Sequence, residues 1–223
     1  MEKTFLCFDN YNSLELPDHF KNDDVRFSFD FAEYFIERYS SVRDMVFDPF
    51  AGFGTTLIAA ERTNRCGFGM EFDKERVAYI KTQIQNKKNI LCGDSLKLSS
   101  YHFPLIDFSL TSPPYMTIND HDEYPFAGYK VTGKGYSQYL KDIQQVYRQM
   151  KDFMKPDAYV AIEISNIRKN GVFTPLAWDV ATTLSEILHF EKEIILCWNN
   201  QDEVQDHTYG FEYDHSYCFV FKN

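Results

Sequence analysis

The sequence predicts a single α/β domain spanning residues 1–223. Its sheet is expected to hold seven mostly parallel strands and to end in an antiparallel C-terminal hairpin. Apolar character alternates between strand-length runs and stretches with helical spacing, the pattern of a parallel sheet with crossover helices. Two of the early runs stop on an acid, Asp48 and Glu71, and a third runs into Gly93-Asp94, which places polar side chains along one sheet edge. The chain of 223 residues is 44% hydrophobic and 17% aromatic, enough for one sizeable core, and no linker, repeat or low-complexity stretch divides it.

The elements follow in order. Phe31, Ala32, Phe35, Ile36 and Tyr39 recur at helical spacing. Met45-Val46-Phe47 is a strand ending at Asp48, and a helix begins at Thr55 and runs to Glu61. Cys66 to Met70 is a second strand, ending at Glu71, after which Asp73 caps a helix with Val77, Ile80 and Ile84 on one face. Asn89 to Cys92 and Ile106 to Leu110 are the third and fourth strands. A long helix is expected from Tyr136 to Met154, a fifth strand over Tyr159–Ile164 and another helix over Pro175–His189. Ile194–Trp198 and Ser216–Phe221 form the hairpin, joined by an acidic, aromatic loop.

Composition narrows the function classes. No stretch approaches the roughly 18 apolar residues a membrane span needs, so a soluble, cytoplasmic protein without membrane contact is expected. The five cysteines are scattered without a C-x-x-C and are expected to be reduced core residues. The six histidines show no metal-ligand spacing, so no metal is expected, and His207 and His215 read as solvated. The net charge of −10 sits awkwardly with phosphate binding. Only the middle of the chain is more basic, through Lys130, Lys134, Lys141, Arg148, Lys151 and Lys155. The last four of these equally describe a solvated helix face. Two long loops, Thr117–Gly135 and Asn199–His215, have the length of functional lids or binding segments.

The run "VFDPFAGFGTTLIAA" follows the first strand. Gly52 and Gly54 permit a tight turn and close backbone approach, and the helix from Thr55 presents free N–H groups. Glu71 follows Gly52 by 19 positions, so a right-handed crossover returns it beside this turn, placed for two ribose hydroxyls. Asp94 ends the third strand on the same edge, in reach of an adenine amino group. These features suit either a dinucleotide or S-adenosylmethionine. The turn G-F-G-T-T lacks the third glycine of the dinucleotide pattern. Asp48 before it would repel a pyrophosphate and would attract an ammonium. S-adenosylmethionine is therefore the expected cofactor.

The second motif is "TSPPY", Thr111 to Tyr115. Proline fixes its own φ and donates no N–H, so Pro113-Pro114 must end strand pairing and leave a stiff corner. That corner carries the Ser112 hydroxyl and the Pro113 carbonyl as acceptors and the Tyr115 ring as a stacking face. An aromatic amine is a poor nucleophile because its lone pair is delocalised. Two fixed acceptors for its two N–H bonds would aim that lone pair at a methyl donor. No covalent intermediate is needed, in keeping with the absence of an obvious activated cysteine.

Together, "DPFAGFGTT" and "TSPPY" resemble the motifs of the S-adenosylmethionine-dependent DNA methyltransferases that modify exocyclic amino groups, N4 of cytosine or N6 of adenine. The resemblance implies a Rossmann-like methyltransferase fold and an enzyme of DNA methylation and restriction–modification. It implies cofactor contacts from Phe27, Phe29, Asp48, Pro49, Phe50, Ala51, Gly52, Gly54, Thr55, Thr56, Glu71, Phe72, Asp94, Ser95 and Thr111. Catalysis would fall to Ser112, Pro113, Pro114 and Tyr115. The segment Phe27-Ser28-Phe29-Asp30-Phe31 resembles the family's cover over the methionine end, and Lys155-Pro156-Asp157-Ala158 its K-P-G-G turn. Serine at the head of the corner resembles the cytosine-N4 members. Two departures stand out: the cofactor motif comes first, where members with this form often reverse the order, and no room is left for a large recognition domain. Target recognition is expected from the two long loops, a second copy in a homodimer, or a partner subunit. DNA is the expected substrate, with RNA or a protein side-chain amide as alternatives.

Overall fold

The computed structural model describes residues 3–9, 12–23, 25–120, 122–130, 133–199 and 215–223. Along the chain run β1 (Phe5–Phe8), α1 (Phe29–Tyr39), β2 (Met45–Asp48), α2 (Thr55–Arg62), β3 (Cys66–Glu71), α3 (Lys74–Gln83), β4 (Ile90–Cys92) and β5 (Ile106–Thr111). Then come α4 (Tyr136–Met150), β6 (Met154–Ile164), β7 (Ile167–Lys169), β8 (Val172–Thr174), α5 (Leu176–Ser185), β9 (His189–Trp198) and β10 (His215–Lys222).

Eight strands form one sheet in the order β1-β9-β10-β6-β5-β2-β3-β4, and β7-β8 form a separate hairpin. Every pairing in the large sheet is parallel except those of β10, which runs antiparallel to both β6 and β9. The chain leaves β2 toward β3 and β4 on one side and builds β5 and β6 on the other. The order therefore reverses between β2 and β5, and a crevice opens there at the carboxyl edge.

The expected seven strands become eight because β1 pairs in parallel with the outer side of β9, Phe5 opposite Ile195 and Phe8 opposite Trp198. Its residues alternate between exposed and half-buried, and four residues are too few to show a period in sequence. The β7-β8 hairpin was also missed, although Asn170-Gly171, both at positive φ, is a strong two-residue hairpin signal. Two boundaries shift. The long helix stops at Met150 and gives way to a short 3-10 turn, so Met154 opens β6 instead of closing a helix. The helix expected to reach His189 ends at Ser185, and His189 begins β9. The Lys155-Pro156-Asp157-Ala158 segment lies inside β6. There the pairing with β5 slips between Ile106↔Met154 and Phe108↔Tyr159, and Asp157 adopts φ 63.

Packing explains the layers. α1 begins at Ser28, whose hydroxyl accepts from the Phe31 N–H, and it buries Phe31, Ala32, Phe35 and Ile36 against one face of the sheet. The Phe31, Phe35 and Ile36 side chains each contribute about 1.5–3 kcal/mol of transfer free energy. α2 lies so close to β3 that a Cβ on Gly67 would sit 2.7 Å from the Leu57 Cα, so only glycine fits there. The opposite face is covered by α4 and α5 through Tyr139, Ile143, Val146, Leu176 and Val180. The cysteines correct the expectation. Only Cys218 is buried; Cys7, Cys66 and Cys92 are exposed and Cys197 is intermediate, because they sit at strand ends or toward the sheet edges, where one flank is open. Among the described residues no helix is long and apolar enough to cross a membrane, and no cluster has the makings of a metal site.

Candidate active site

The crevice at the carboxyl edge is built from four strand ends. β2 delivers Asp48, which is fully buried. Its Oδ1 accepts from the Phe50 N–H at 2.9 Å and from the Thr111 hydroxyl at the end of β5. Burial pushes the Asp48 carboxyl up to about 6, against the lowering effect of those hydrogen bonds. A carboxylate so poorly solvated is stabilised when a cation is brought to it.

The next turn is formed by Ala51, Gly52 and Gly54. Gly52 has φ 55 and Gly54 has φ 83, both in the left-handed region, and Gly54 is the N-cap of α2. A Cβ at Gly54 would also meet the Ile80 side chain at 3.0 Å. The crossover brings Glu71 to this turn as its spacing predicted. Glu71 Oε2 accepts from the Gly52 N–H and Oε1 from the Asp73 N–H, each at 2.8 Å. Burial raises the Glu71 carboxyl, and these two backbone donors offset part of that effect. A shallow cleft lies beyond, lined by Phe72, Asp73, Cys92, Gly93 and Asp94. Phe72 is 54% exposed there, an unusual position for a phenylalanine. Asp94 caps the turn after β4 by accepting from the Leu96 N–H, and it pairs with Lys97.

Several of the expected cofactor residues brace the site from behind. The Ser95 hydroxyl donates to the Pro49 carbonyl, Thr56 donates to the Leu110 carbonyl at 3.2 Å, and Thr111 donates to Asp48. The Ala51 N–H donates to the Met70 carbonyl, and Thr55 is buried in the first turn of α2. Phe27 packs edge-on against Phe31, and Phe29 lies under the Arg62 guanidinium at 3.8 Å; both are buried. The Phe50 ring meets Phe126 from the loop above.

The proline corner follows β5 directly, with Ser112 half-buried and Pro113 buried. The two residues after the acceptors are fixed from outside: Tyr139 of α4 donates to the Pro114 carbonyl at 2.9 Å, and the Tyr115 hydroxyl accepts from the Ser165 N–H at 2.8 Å. Among the described residues no donor reaches the Pro113 carbonyl. The sequence did not point to Glu163, which lies 3% exposed in β6 beside the corner, with the Ser112 and Ser216 hydroxyls facing its carboxylate. A charged residue between two isoleucines of a buried strand was the available signal.

The loop over the corner is tied down at both cleft ends. Tyr124 is fully buried and donates to Asp142, Phe126 reaches Phe50, and Gly128 lies over Phe72. Tyr129 stays 51% exposed beside a pocket that also takes in Tyr115, Thr117, Asp120 and Lys169. Of the loop Asn199–His215, residues 200–214, His207 included, lie outside the described residues. The basic residues of the middle are largely engaged within the fold: Lys134 with Asp142, Lys151 with the Ile187 carbonyl, Lys155 with Asp107 and Arg148 with Gln144.

Residues 9–82, about a third of the chain, match the DNA methylase family model for N6 and N4 enzymes, a segment that includes Asp48, the glycine turn and Glu71. Over that segment the chain is similar to the DNA methylase family. Solved methyltransferase structures share the fold of this chain. TrmN from Thermus thermophilus superposes with a TM-score of 0.60 at 15% identity over 95% of this chain and 55% of its own, so this chain spans just over half of TrmN. A putative rRNA-methylase from Clostridium thermocellum gives 0.53 at 10% identity, over 89% of this chain and 99% of that one. An S-adenosylmethionine-dependent methyltransferase from Methanosarcina mazei gives 0.55 at 10% identity, over 85% and 96%. No curated protein sequence matches this chain.

The residues present fit the cofactor. A buried carboxylate that no cation pairs with among the described residues suits an ammonium, a tight glycine turn admits a ligand close to the backbone, and Glu71 and Asp94 offer acceptors beside an exposed aromatic ring.

Proposed function

We propose that the enzyme methylates an exocyclic amino group of a nucleic-acid base, N4 of cytosine in DNA. The observation that carries this reading is the corner itself: at the switch point, next to the glycine turn, Ser112 and Pro113 offer oxygen acceptors while Pro114 and Tyr115 are pinned by Tyr139 and Ser165. Bound S-adenosylmethionine would supply an electrophilic methyl group on a sulfonium, a leaving group that needs no acid. Asp48 would receive the ammonium of its methionine part, Glu71 the ribose hydroxyls, and Phe72 with Asp94 the adenine.

Ser112 and the Pro113 carbonyl each accept one N–H of the target amine, so the lone pair localises along the third direction. Tyr115 supplies a stacking face for a base taken out of its duplex or already unpaired. Serine at the head of the corner supports cytosine over adenine. The Thr117–Gly135 loop, with exposed Tyr129, is the element placed to read the neighbouring nucleotides. An unpaired target suits a protein of net charge −10, because it avoids the cost of flipping.

Labelled cofactor offered in parallel to genomic DNA, total RNA and cell protein tests this. Digestion and mass spectrometry should find N4-methylcytosine in DNA. N6-methyladenine would move the target to the other amine, and label confined to RNA or protein would overturn the DNA reading.

A further inference from the structure

Glu163 is a charged side chain in the middle of the sheet, where among the described residues only the Ser112 and Ser216 hydroxyls face its carboxylate. It is 3% exposed, Ile162 and Ile164 flank it, and its Oε1 has no hydrogen-bond partner among the described residues. A carboxylate buried without compensation costs several kcal/mol, so a purely structural role favours replacement by an apolar residue. Its position suggests the reason for its presence. β5 and β6 run parallel with Thr111 opposite Ile162, so the next residues along the two strands are Ser112 and Glu163. The Ser112 hydroxyl faces the carboxylate from that side. From β10, Ser216 faces it and Cys218 lies opposite in register, its thiol kept neutral by burial and by the charge of Glu163. Among the described residues, neither an arginine nor a lysine contributes to this environment.

Resting on the amine-methylation reading above, we propose that Glu163 is a positioning residue and proton acceptor that acts through Ser112. A serine hydroxyl can donate or accept. If it donated to the target amine it would occupy the lone pair that must attack. A carboxylate behind it takes the hydroxyl proton as its partner and leaves the oxygen lone pairs turned toward the substrate. The same arrangement disposes of the surplus proton. As the amine nitrogen bonds the methyl carbon, the carbon–sulfur pair stays on sulfur and the nitrogen becomes cationic. It loses a proton to the Ser112 oxygen while the Ser112 proton passes to Glu163, and solvent later removes it. Burial raises the Glu163 carboxyl, which makes it a stronger base than a solvated carboxylate.

The test compares wild type with Glu163→Gln in methyl transfer to heat-denatured genomic DNA at saturating cofactor, across pH, with cofactor affinity by calorimetry. The expected result is a kcat lower by about 10- to 100-fold, cofactor affinity within about twofold, and loss of the acid-side limb of the kcat profile. Glu163→Asp, which keeps the charge at shorter reach, should retain that limb at an intermediate rate, and it carries the test if the glutamine variant does not fold. Unchanged kcat and profile in Glu163→Gln would overturn the relay. So would a variant that loses cofactor binding while keeping kcat, since the carboxylate would then serve the cofactor. A wild-type protein that methylates no nucleic acid overturns the substrate reading instead, and the relay with it.

Discussion

At the cofactor end of the crevice, the carboxylates already have protein partners. Asp48 accepts from Phe50 and Thr111, and Glu71 holds both the Gly52 and Asp73 amides. At the corner, the Pro113 carbonyl meets no donor among the described residues, the Ser112 hydroxyl faces Glu163 with its oxygen lone pairs left over, and rigidity comes from Tyr139 and Ser165 gripping the neighbours. On the proposed function, the first end would be a binding surface made stiff by its own ligating groups. The second would keep its reactive oxygens open and borrow stiffness from α4 and from Ser165 just after β6. Binding tolerates shared acceptors because each carboxylate oxygen has a second lone pair. A transfer step aimed along one direction does not, since a misplaced acceptor loses the attack geometry.

The comparison breaks most sharply at Ser112. Ser112→Ala should lower kcat on the order of 100-fold, with cofactor affinity by calorimetry unchanged, because the residue belongs to the open end alone. Equal losses in both quantities would show that the ends are not separable.

Asp48→Asn should do the reverse, weakening cofactor affinity roughly tenfold or more while sparing kcat at saturation. Its pH dependence fixes the sign. The Asp48 carboxyl sits at about 6 in the fold against 3.8 when unfolded, so the folded state holds the proton more tightly. Stability of the cofactor-free wild type should therefore fall as pH rises from about 4 to about 6, by up to about 3 kcal/mol. Asp48→Asn should remove that slope and melt higher above pH 6. Cofactor affinity in the wild type should weaken as pH drops below about 6, where Asp48 loses its charge. Melting curves and titrations across pH 4–8 would check both.

Tyr139→Phe removes one hydroxyl that braces the corner from 2.9 Å. It should cost about 1 kcal/mol of stability and reduce kcat a few-fold without touching cofactor affinity. The smallest effect concerns Cys92, exposed in the shallow cleft with Phe72 and Asp94. In a Cys7→Ser, Cys66→Ser background, cofactor should slow alkylation of Cys92 severalfold, as mass spectrometry would show, and nucleotide alone should not.

The cofactor end was legible because its parts are close in sequence and obey fixed rules. A strand ending in Asp48, a turn needing Gly52 and Gly54, and one right-handed crossover suffice to bring Glu71 to the Gly52 amide. The Ser112–Tyr115 corner was legible in outline, since two prolines can only end a strand. Its supports were not. Tyr139 and Ser165 lie 25 and 50 positions from the groups they hold, and nothing local marks them. The outer strand β1 escaped notice because Phe5–Phe8 is only four residues long, too short to show a period.

By itself the sequence determined the alternation of strands and helices, the carboxyl edge on which the acids fall, and the stiffness of the proline corner, because these follow from residue-by-residue backbone limits and short-range periodicity. Only the tertiary structure decided that Glu163 stands behind Ser112, that Ser95, Thr56 and Thr111 turn inward as braces, and that three of five cysteines face out. Those outcomes depend on which strands become neighbours, and strand pairing is set by burial across the whole sheet.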